Sequence, residues 1–285
     1  MIISVASGKG GTGKTTVATS LALFLSSAKS QHVQFLDCDV EEPNAHIFLK
    51  PTIATGRAVN LPVPVVDFEK CTFCGECAKV CAYNAIVVLK NDVLTFAELC
   101  HGCGGCTLLC PERAISEKER ELGVLEEGQA GSIKFVHGRL KVGEPMATPL
   151  IRAVKKTIDQ DGITIIDVPP GTSCPVIQSI HGSGFCLLVT EPTPFGLHDL
   201  KLAIELVKEL KIKHGVVINR AGIGDDKVRD YCTQQKVPIL AEIPFDREVA
   251  VRYSRGVPMW EAGECYREIF GRLWESIETQ ADENR

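Results

Sequence analysis

The 285-residue chain is 45% hydrophobic and 24% charged, with a formal net charge of −5 at pH 7. That mixture suits a folded globular protein with a sizeable core and argues against nucleic acid as a partner, because no dense Lys/Arg cluster offsets the acidic balance. The longest apolar run, residues 17–25, is too short to cross a bilayer, and thirteen cysteines behind an opening with no basic leader point to a cytoplasmic protein using metal or redox chemistry rather than disulfides.

The first expected element is a strand over Ile2–Ala6. It runs into Gly8-Lys9-Gly10-Gly11-Thr12-Gly13-Lys14-Thr15 and then a helix over Thr15–Ser27. The loop satisfies G-x4-G-K-[ST] in the strand–loop–helix context that the motif requires. Glycines let backbone N–H groups converge on phosphate oxygens, and the helix N-terminus adds positive potential. Gly10, Gly11, Thr12, Gly13, Lys14, Thr15 and Thr16 are therefore expected to cradle ATP or ADP. Lys14 would reach the β- and γ-phosphates and Thr15 would ligate Mg²⁺. A second strand, Val33–Leu36, leads into FLDCDVEEPN, which sets Asp37 and Asp39 at a strand end.

The α/β alternation breaks between about Pro62 and Ser116, where the prolines of LPVPVV give way to eight cysteines in forty residues. The segment is duplicated: CTFCGECAKVCAYNAIV from Cys71 and CHGCGGCTLLCPERAIS from Cys100 match cysteine for cysteine. Each half reads C-x2-C-x2-C-x3-C. Three thiolates on one tight loop suit three irons of a cubane. Paired C-x2-C also suits tetrahedral zinc, but zinc needs four ligands per ion and no duplicated three-plus-one pattern.

Downstream, GSIKFVHGRLKVG reads as a hairpin turning at His137–Gly138. Helices are expected over Thr148–Asp159, Gly196–Leu210, Asp225–Gln235 and Tyr266–Thr279. Strands are expected over Ile163–Val168, Phe185–Thr190, Gly215–Asn219 and Ile239–Ile243. The last helix puts Ile269, Phe270, Leu273, Trp274 and Ile277 on one face. Its polar face mixes Glu268, Glu275 and Glu278 with Arg267 and Arg272, so docking on the core is expected and stable membrane association is not. The fold class is α/β: a P-loop NTPase with a mostly parallel sheet covered by helices on both faces, interrupted by a small α+β insert. The division is 1–62 and 116–285 for the nucleotide-binding domain and 63–115 for the insert.

The cysteine cassette resembles a bacterial-type ferredoxin, with Ala82 where the first run would usually carry Pro. In that family the fourth cysteine of each run ligates the other cluster. The resemblance implies one [4Fe–4S] cluster on Cys71, Cys74, Cys77 and Cys110 and another on Cys100, Cys103, Cys106 and Cys81. The remainder of the chain resembles the MinD/ParA/Mrp group of deviant Walker A ATPases, which includes the nitrogenase iron protein. The resemblance rests on KGGTGKTT with its early Lys9, on FLDCDVEEPN, on GEPMATPLIRAV followed by TIIDVPPGTS, and on VVINRAG and IPFD. It implies that Lys9 reaches a dimer partner's nucleotide and that Asp39 positions the attacking water. It further implies that Asp37 and Asp167 serve Mg²⁺ and that Asn219 binds adenine.

The partners so implied are a second copy or a sister ATPase, and a redox protein. Cys174 lies near the place where the iron protein carries a cluster cysteine. No second upstream cysteine completes that site, and a buried apolar thiol is expected instead. Cys38, Cys186, His46 and His198 are expected to be packing or surface residues, and the late C-x-x-C of Mrp-type carriers is missing at Cys232 and Cys265. Three functions are compatible with this reading: an ATPase gating electron transfer, an Mrp-like cluster assembly or carrier factor, and a ParA-like spatial switch with the insert as a docking module.

Overall fold

The computed structural model describes residues 1–282. The chain opens with β1 (Ile2–Ala6), α1 (Lys14–Ser27), β2 (Val33–Asp37) and α2 (Ala45–Leu49), then leaves the sheet on a long strand, β3 (Thr52–Val66). The insert contributes α3 (Glu76–Val80), β4 (Ile86–Val88), β5 (Val93–Thr95) and α4 (Gly105–Leu108). The chain returns on β6 (Ile115–Ala130) and β7 (Ile133–Leu140). Then follow α5 (Thr148–Lys155), β8 (Ile163–Asp167), α6 (Cys174–Ile180), β9 (Phe185–Thr190), α7 (Pro194–Glu209), β10 (His214–Ala221), α8 (Lys227–Gln235), β11 (Ile239–Pro244), α9 (Arg247–Tyr253) and α10 (Glu264–Asp282).

Nine strands form one sheet in the order β11-β10-β9-β1-β8-β2-β7-β6-β3. The run from β11 to β7 is parallel throughout, while β6 pairs antiparallel with both β7 and β3. The central strands are buried on both faces and read as near-continuous apolar runs, as parallel strands under two helical layers must. One core layer joins Val17, Leu21 and Leu25 of α1 to Phe270, Leu273, Trp274 and Ile277 of α10. The last helix thus docks on the core as expected. The opposite layer holds Leu150 and Val154 of α5, Ile180 of α6, Leu200 and Ile204 of α7 and Cys232 of α8. Cys38 and Cys186 are buried here too, whereas His46 and His198 are exposed.

Two expectations are corrected. The segment 131–143 is not a hairpin turning at His137–Gly138: both residues lie inside β7, and the reversal is the two-residue turn Gly131–Ser132 between paired Ala130 and Ile133. Gly131 takes φ +59°, the left-handed conformation that such tight hairpins need. Helix α5 ends at Lys155 rather than Asp159. The buried Gln34 of β2 donates to the Thr157 carbonyl and accepts from the Asp159 N–H, drawing the backbone out of the helix.

The insert is carried on a continuous antiparallel ribbon. Pairing between β3 and β6 runs from Thr52–Gln129 at the sheet to Val66–Ile115 at the insert. Pro62 and Pro64 sit on β3, the edge strand, two residues apart, so both lack their N–H on the same side of the strand. That side carries no partner strand, and the prolines also blunt the open edge.

Candidate functional site

The C-terminal ends of β1, β2 and β8 converge on a cleft of about 440 Å³. Gly10, Gly11, Gly13, Lys14, Thr15 and Thr16 line its floor, Asp39 one wall, and Asn219, Phe245 and Tyr253 the far rim. Gly11 and Gly13 have φ +81° and +89°. A Cβ on Gly13 would lie 2.2 Å from Asn219 Nδ2, so only glycine fits there. Asn219 Nδ2 donates to the Thr12 carbonyl at 2.7 Å, and Asn219 Oδ1 accepts from the Arg220 N–H. The residue expected to read adenine therefore also braces the loop.

Lys14 is buried, with Nζ 2.7 Å from Asp167 Oδ1 and 3.4 Å from Asp39 Oδ2. Burial alone would lower its ammonium, but Asp167 and Asp39 more than offset that and hold it above its ordinary value. Asp37 and Asp167 are paired neighbours on β2 and β8, both fully buried. Burial pushes the Asp37 carboxyl well above the usual carboxylate range, and Asp167 beside it pushes it further. Asp37 Oδ1 accepts from the Asp39 N–H and Oδ2 from the Ala45 N–H, which ties the segment after β2 to the strand end. Burial likewise raises Asp39 from 3.8 to about 6, against the pull of Lys14.

Asp167 Oδ2 and Thr12 Oγ1 are buried without a hydrogen-bond partner. Buried polar atoms left open beside a glycine-rich loop suit a bound phosphate and its Mg²⁺. The residues present therefore fit Mg²⁺–ATP, with Lys14, among the described residues, the only cation buried in the cleft wall. Lys9 does not line the cleft: its Nζ turns to Glu191 Oε2 at 3.6 Å.

In the insert the duplication is visible in the backbone. Phe73, Gly75 and Asn84 adopt positive φ, and so do the equivalent Gly102, Gly104 and Arg113. The pairing of Ile86 with Thr95 is repeated by that of Ile115 with Val66, so the distal end of the ribbon is itself half of the insert's β-structure. The eight cysteines surround two cavities. One is lined by Cys71, Cys74, Cys77 and Cys110; the other by Cys81, Cys100, Cys103 and Cys106. Each is small, about 20 Å³ against 440 Å³ for the nucleotide cleft. Each fourth cysteine thus joins the other run's three. Cys81 Sγ accepts from the Ala85 N–H at 3.2 Å and Cys110 Sγ from the Ala114 N–H at 3.3 Å. Among the described residues no three or more His, Cys, Asp or Glu side chains converge on a single-ion site. Four thiols spaced around a volume, with N–H donors to sulfur and apolar walls of Val66, Val88 and Ile115, fit the donor chemistry of an iron–sulfur cluster.

Sequence reasoning missed the contact between the two halves. The rings of Tyr83 and His101 stack with centroids 3.5 Å apart. Both line the second thiol cavity and also a neighbouring cleft of about 360 Å³. The other wall of that cleft is Pro145–Thr148, Cys174 and Pro175. Cys174 is exposed at the start of α6, not buried as expected. No sequence signal marked this meeting, because aromatic residues between cysteines carry no address for a partner surface.

A model of the CobQ/CobB/MinD/ParA nucleotide binding domain matches residues 3–259. An uncharacterized protein of Methanocaldococcus jannaschii is 30% identical over 259 residues, 90% of each chain. An iron–sulfur cluster carrier protein of Aquifex aeolicus is 25% identical over 90% of this chain, which spans 61% of that protein. An uncharacterized ferredoxin of M. jannaschii is 36% identical over 55 residues, 18% of this chain and 71% of its own length. Among solved structures, the septum site-determining protein MinD of Pyrococcus horikoshii, complexed with Mg-ADP, superposes with a TM-score of 0.59 at 20% identity, covering 99% of this chain and 97% of that one.

Proposed function

The chain belongs to the CobQ/CobB/MinD/ParA nucleotide-binding family, and from that premise we propose that it is an ATPase whose nucleotide state controls electron transfer through two [4Fe–4S] clusters. The observation that carries this reading is the ribbon. One end of β3–β6 is hydrogen-bonded into the sheet that holds Asp37 and Asp167, and the other end is part of the eight-thiol lobe. A change at the nucleotide therefore has a stiff route to the thiols.

Each part has a task set by its geometry. Lys14 exchanges its contacts with Asp167 and Asp39 for phosphate oxygens. Asp167, whose Oδ2 is buried without a partner, would hold Mg²⁺ together with Thr15 and Asp37. Asp39, on the cleft wall, orients the attacking water. Asn219 and Phe245 bound the base side. Lys9 serves a partner subunit's phosphates, a second copy or a sister chain. Cys71, Cys74, Cys77 and Cys110 would hold one cluster and Cys81, Cys100, Cys103 and Cys106 the other. When bound, the clusters supply one-electron carriage to a redox protein. The loop from Asp167 to Cys174 runs from the Mg²⁺ site to the cleft under Tyr83 and His101, so release of the γ-phosphate would be felt there.

A second reading, cluster carriage for assembly, is favoured by the likeness to the A. aeolicus carrier protein. Anaerobic purification with iron, sulfide and EPR analysis, with and without MgATP, separates the two. Electron transfer requires about eight irons and eight sulfides per chain, retained through turnover and changing redox state with nucleotide. A carrier would lose its clusters to an apo-acceptor protein. Two zincs and no sulfide would refute both.

A further inference from the structure

Glu191 stands at the C-terminal end of β9, 6% exposed, in a place that the nucleotide cleft does not use. Two close approaches fix it there. Its carbonyl accepts the Thr193 N–H, and a Cβ on Gly196 would lie 2.2 Å from the same carbonyl oxygen. The loop that carries Lys9 is fixed against the same region: a Cβ on Gly8 would meet the Asp199 carbonyl of α7 at 2.2 Å. Lys9 is thereby held over Glu191, with Nζ 3.6 Å from Oε2, while Arg220 Nη1 lies 2.6 Å from Oε1. Two cations attend one buried carboxylate. Stripping a buried carboxylate of its last cation is costly, but here one cation is surplus. Lys9 can leave and Glu191 keeps Arg220. Arg220 makes the closer contact, 2.6 Å against 3.6 Å for Lys9, and is the partner that stays.

We propose that Glu191 is a positioning residue that parks Lys9 in the free subunit and releases it to the partner subunit on ATP-driven closure, with Arg220 left behind as counter-charge. The proposal rests on the reading that Lys9 acts across a dimer. It makes closure an exchange of one ion partner for another rather than a simple gain, so Glu191 sets the protein concentration at which dimers form.

Sedimentation velocity over a range of protein concentration, with Mg²⁺ and a non-hydrolysable ATP analogue, tests this. Glu191→Gln frees Lys9 and lowers the concentration at half-dimerisation by about fivefold, the scale of a partly exposed ion pair. Arg220→Gln leaves Lys9 as the only counter-charge and moves the midpoint the other way. In a Lys9→Ala background Glu191→Gln has no effect. An unchanged midpoint in Glu191→Gln, or the same shift with and without Lys9, overturns the parking role while leaving the trans reading intact. Lys9→Ala chains that dimerise and hydrolyse ATP like the unmodified protein overturn the trans reading, and the parking role falls with it.

Discussion

At the scale of single residues, the nucleotide cleft is an electrostatic compromise. Three aspartates crowd one lysine: Asp37, Asp39 and Asp167 around Lys14. Asp39 lies closest to solvent and titrates in an accessible range, from 3.8 up to about 6, chiefly because burial disfavours its charge. Its folded-state value is above the unfolded one, so the folded state prefers the protonated form. That contribution is fully present below 3.8 and is lost as pH rises through about 6. Asp39→Asn removes the titration. Nucleotide-free Asp39→Asn should match the unmodified chain in urea stability at pH 4 and exceed it by about 2 kcal/mol at pH 8. A stability gap that does not vary with pH would show that burial does not strain Asp39. Hydrolysis should fall steeply in the same variant, because asparagine orients water poorly.

At the scale of elements, the sequence carried the repeating parts and hid the connecting ones. The glycine loop and the cysteine runs were legible because their chemistry demands fixed spacings, and α10 because its apolar face recurs at helical period. The ribbon was not. Pro62 and Pro64 argue against a central strand, and β6 begins with SEKERE, whose side chains are mostly exposed. Both features make sense only at a sheet edge reaching into solvent. Cys174 was misjudged because a short thiol reads as apolar filler until its neighbours are known. The crossed arrangement of the cysteines gives a direct test of the insert. Cys110→Ser should remove the EPR signal of the cluster on Cys71, Cys74 and Cys77, and Cys81→Ser that of the cluster on Cys100, Cys103 and Cys106. Each variant should retain roughly four irons. If Cys110→Ser instead spares the Cys71 run, the two cavities do not describe the ligand sets.

At the scale of the whole molecule the two cavities are not equivalent. Every residue lining the first belongs to the segment 66–115. The second shares Tyr83 and His101 with a cleft whose far wall belongs to the nucleotide-binding half. That wall is anchored on both sides. Glu144 pairs with Arg120 of the ribbon and accepts the Met146 N–H, while Cys174 and Pro175 follow the loop from Asp167. Nucleotide binding should therefore act more strongly on the second cluster, which meets both the ribbon and the cleft, than on the first, which meets only the ribbon ends Val66 and Ile115. In EPR-monitored redox titrations, MgATP analogue should move the midpoint potential of the cluster retained in Cys110→Ser, on the order of 60 mV for a tenfold coupling. The cluster retained in Cys81→Ser should stay within a few tens of millivolts at most of its nucleotide-free value, roughly half that coupling or less. Equal shifts in both would mean a general field effect rather than contact through the cleft. Linkage adds a condition that neither potential can meet by accident. If nucleotide makes the second cluster tenfold easier to reduce, reducing it must tighten nucleotide binding about tenfold. Calorimetric titration of the analogue into oxidised and reduced Cys110→Ser protein measures that factor. Identical affinities would show that the shifted potential is not an equilibrium effect of bound nucleotide, and the claim that the ribbon and cleft couple the two sites would fall.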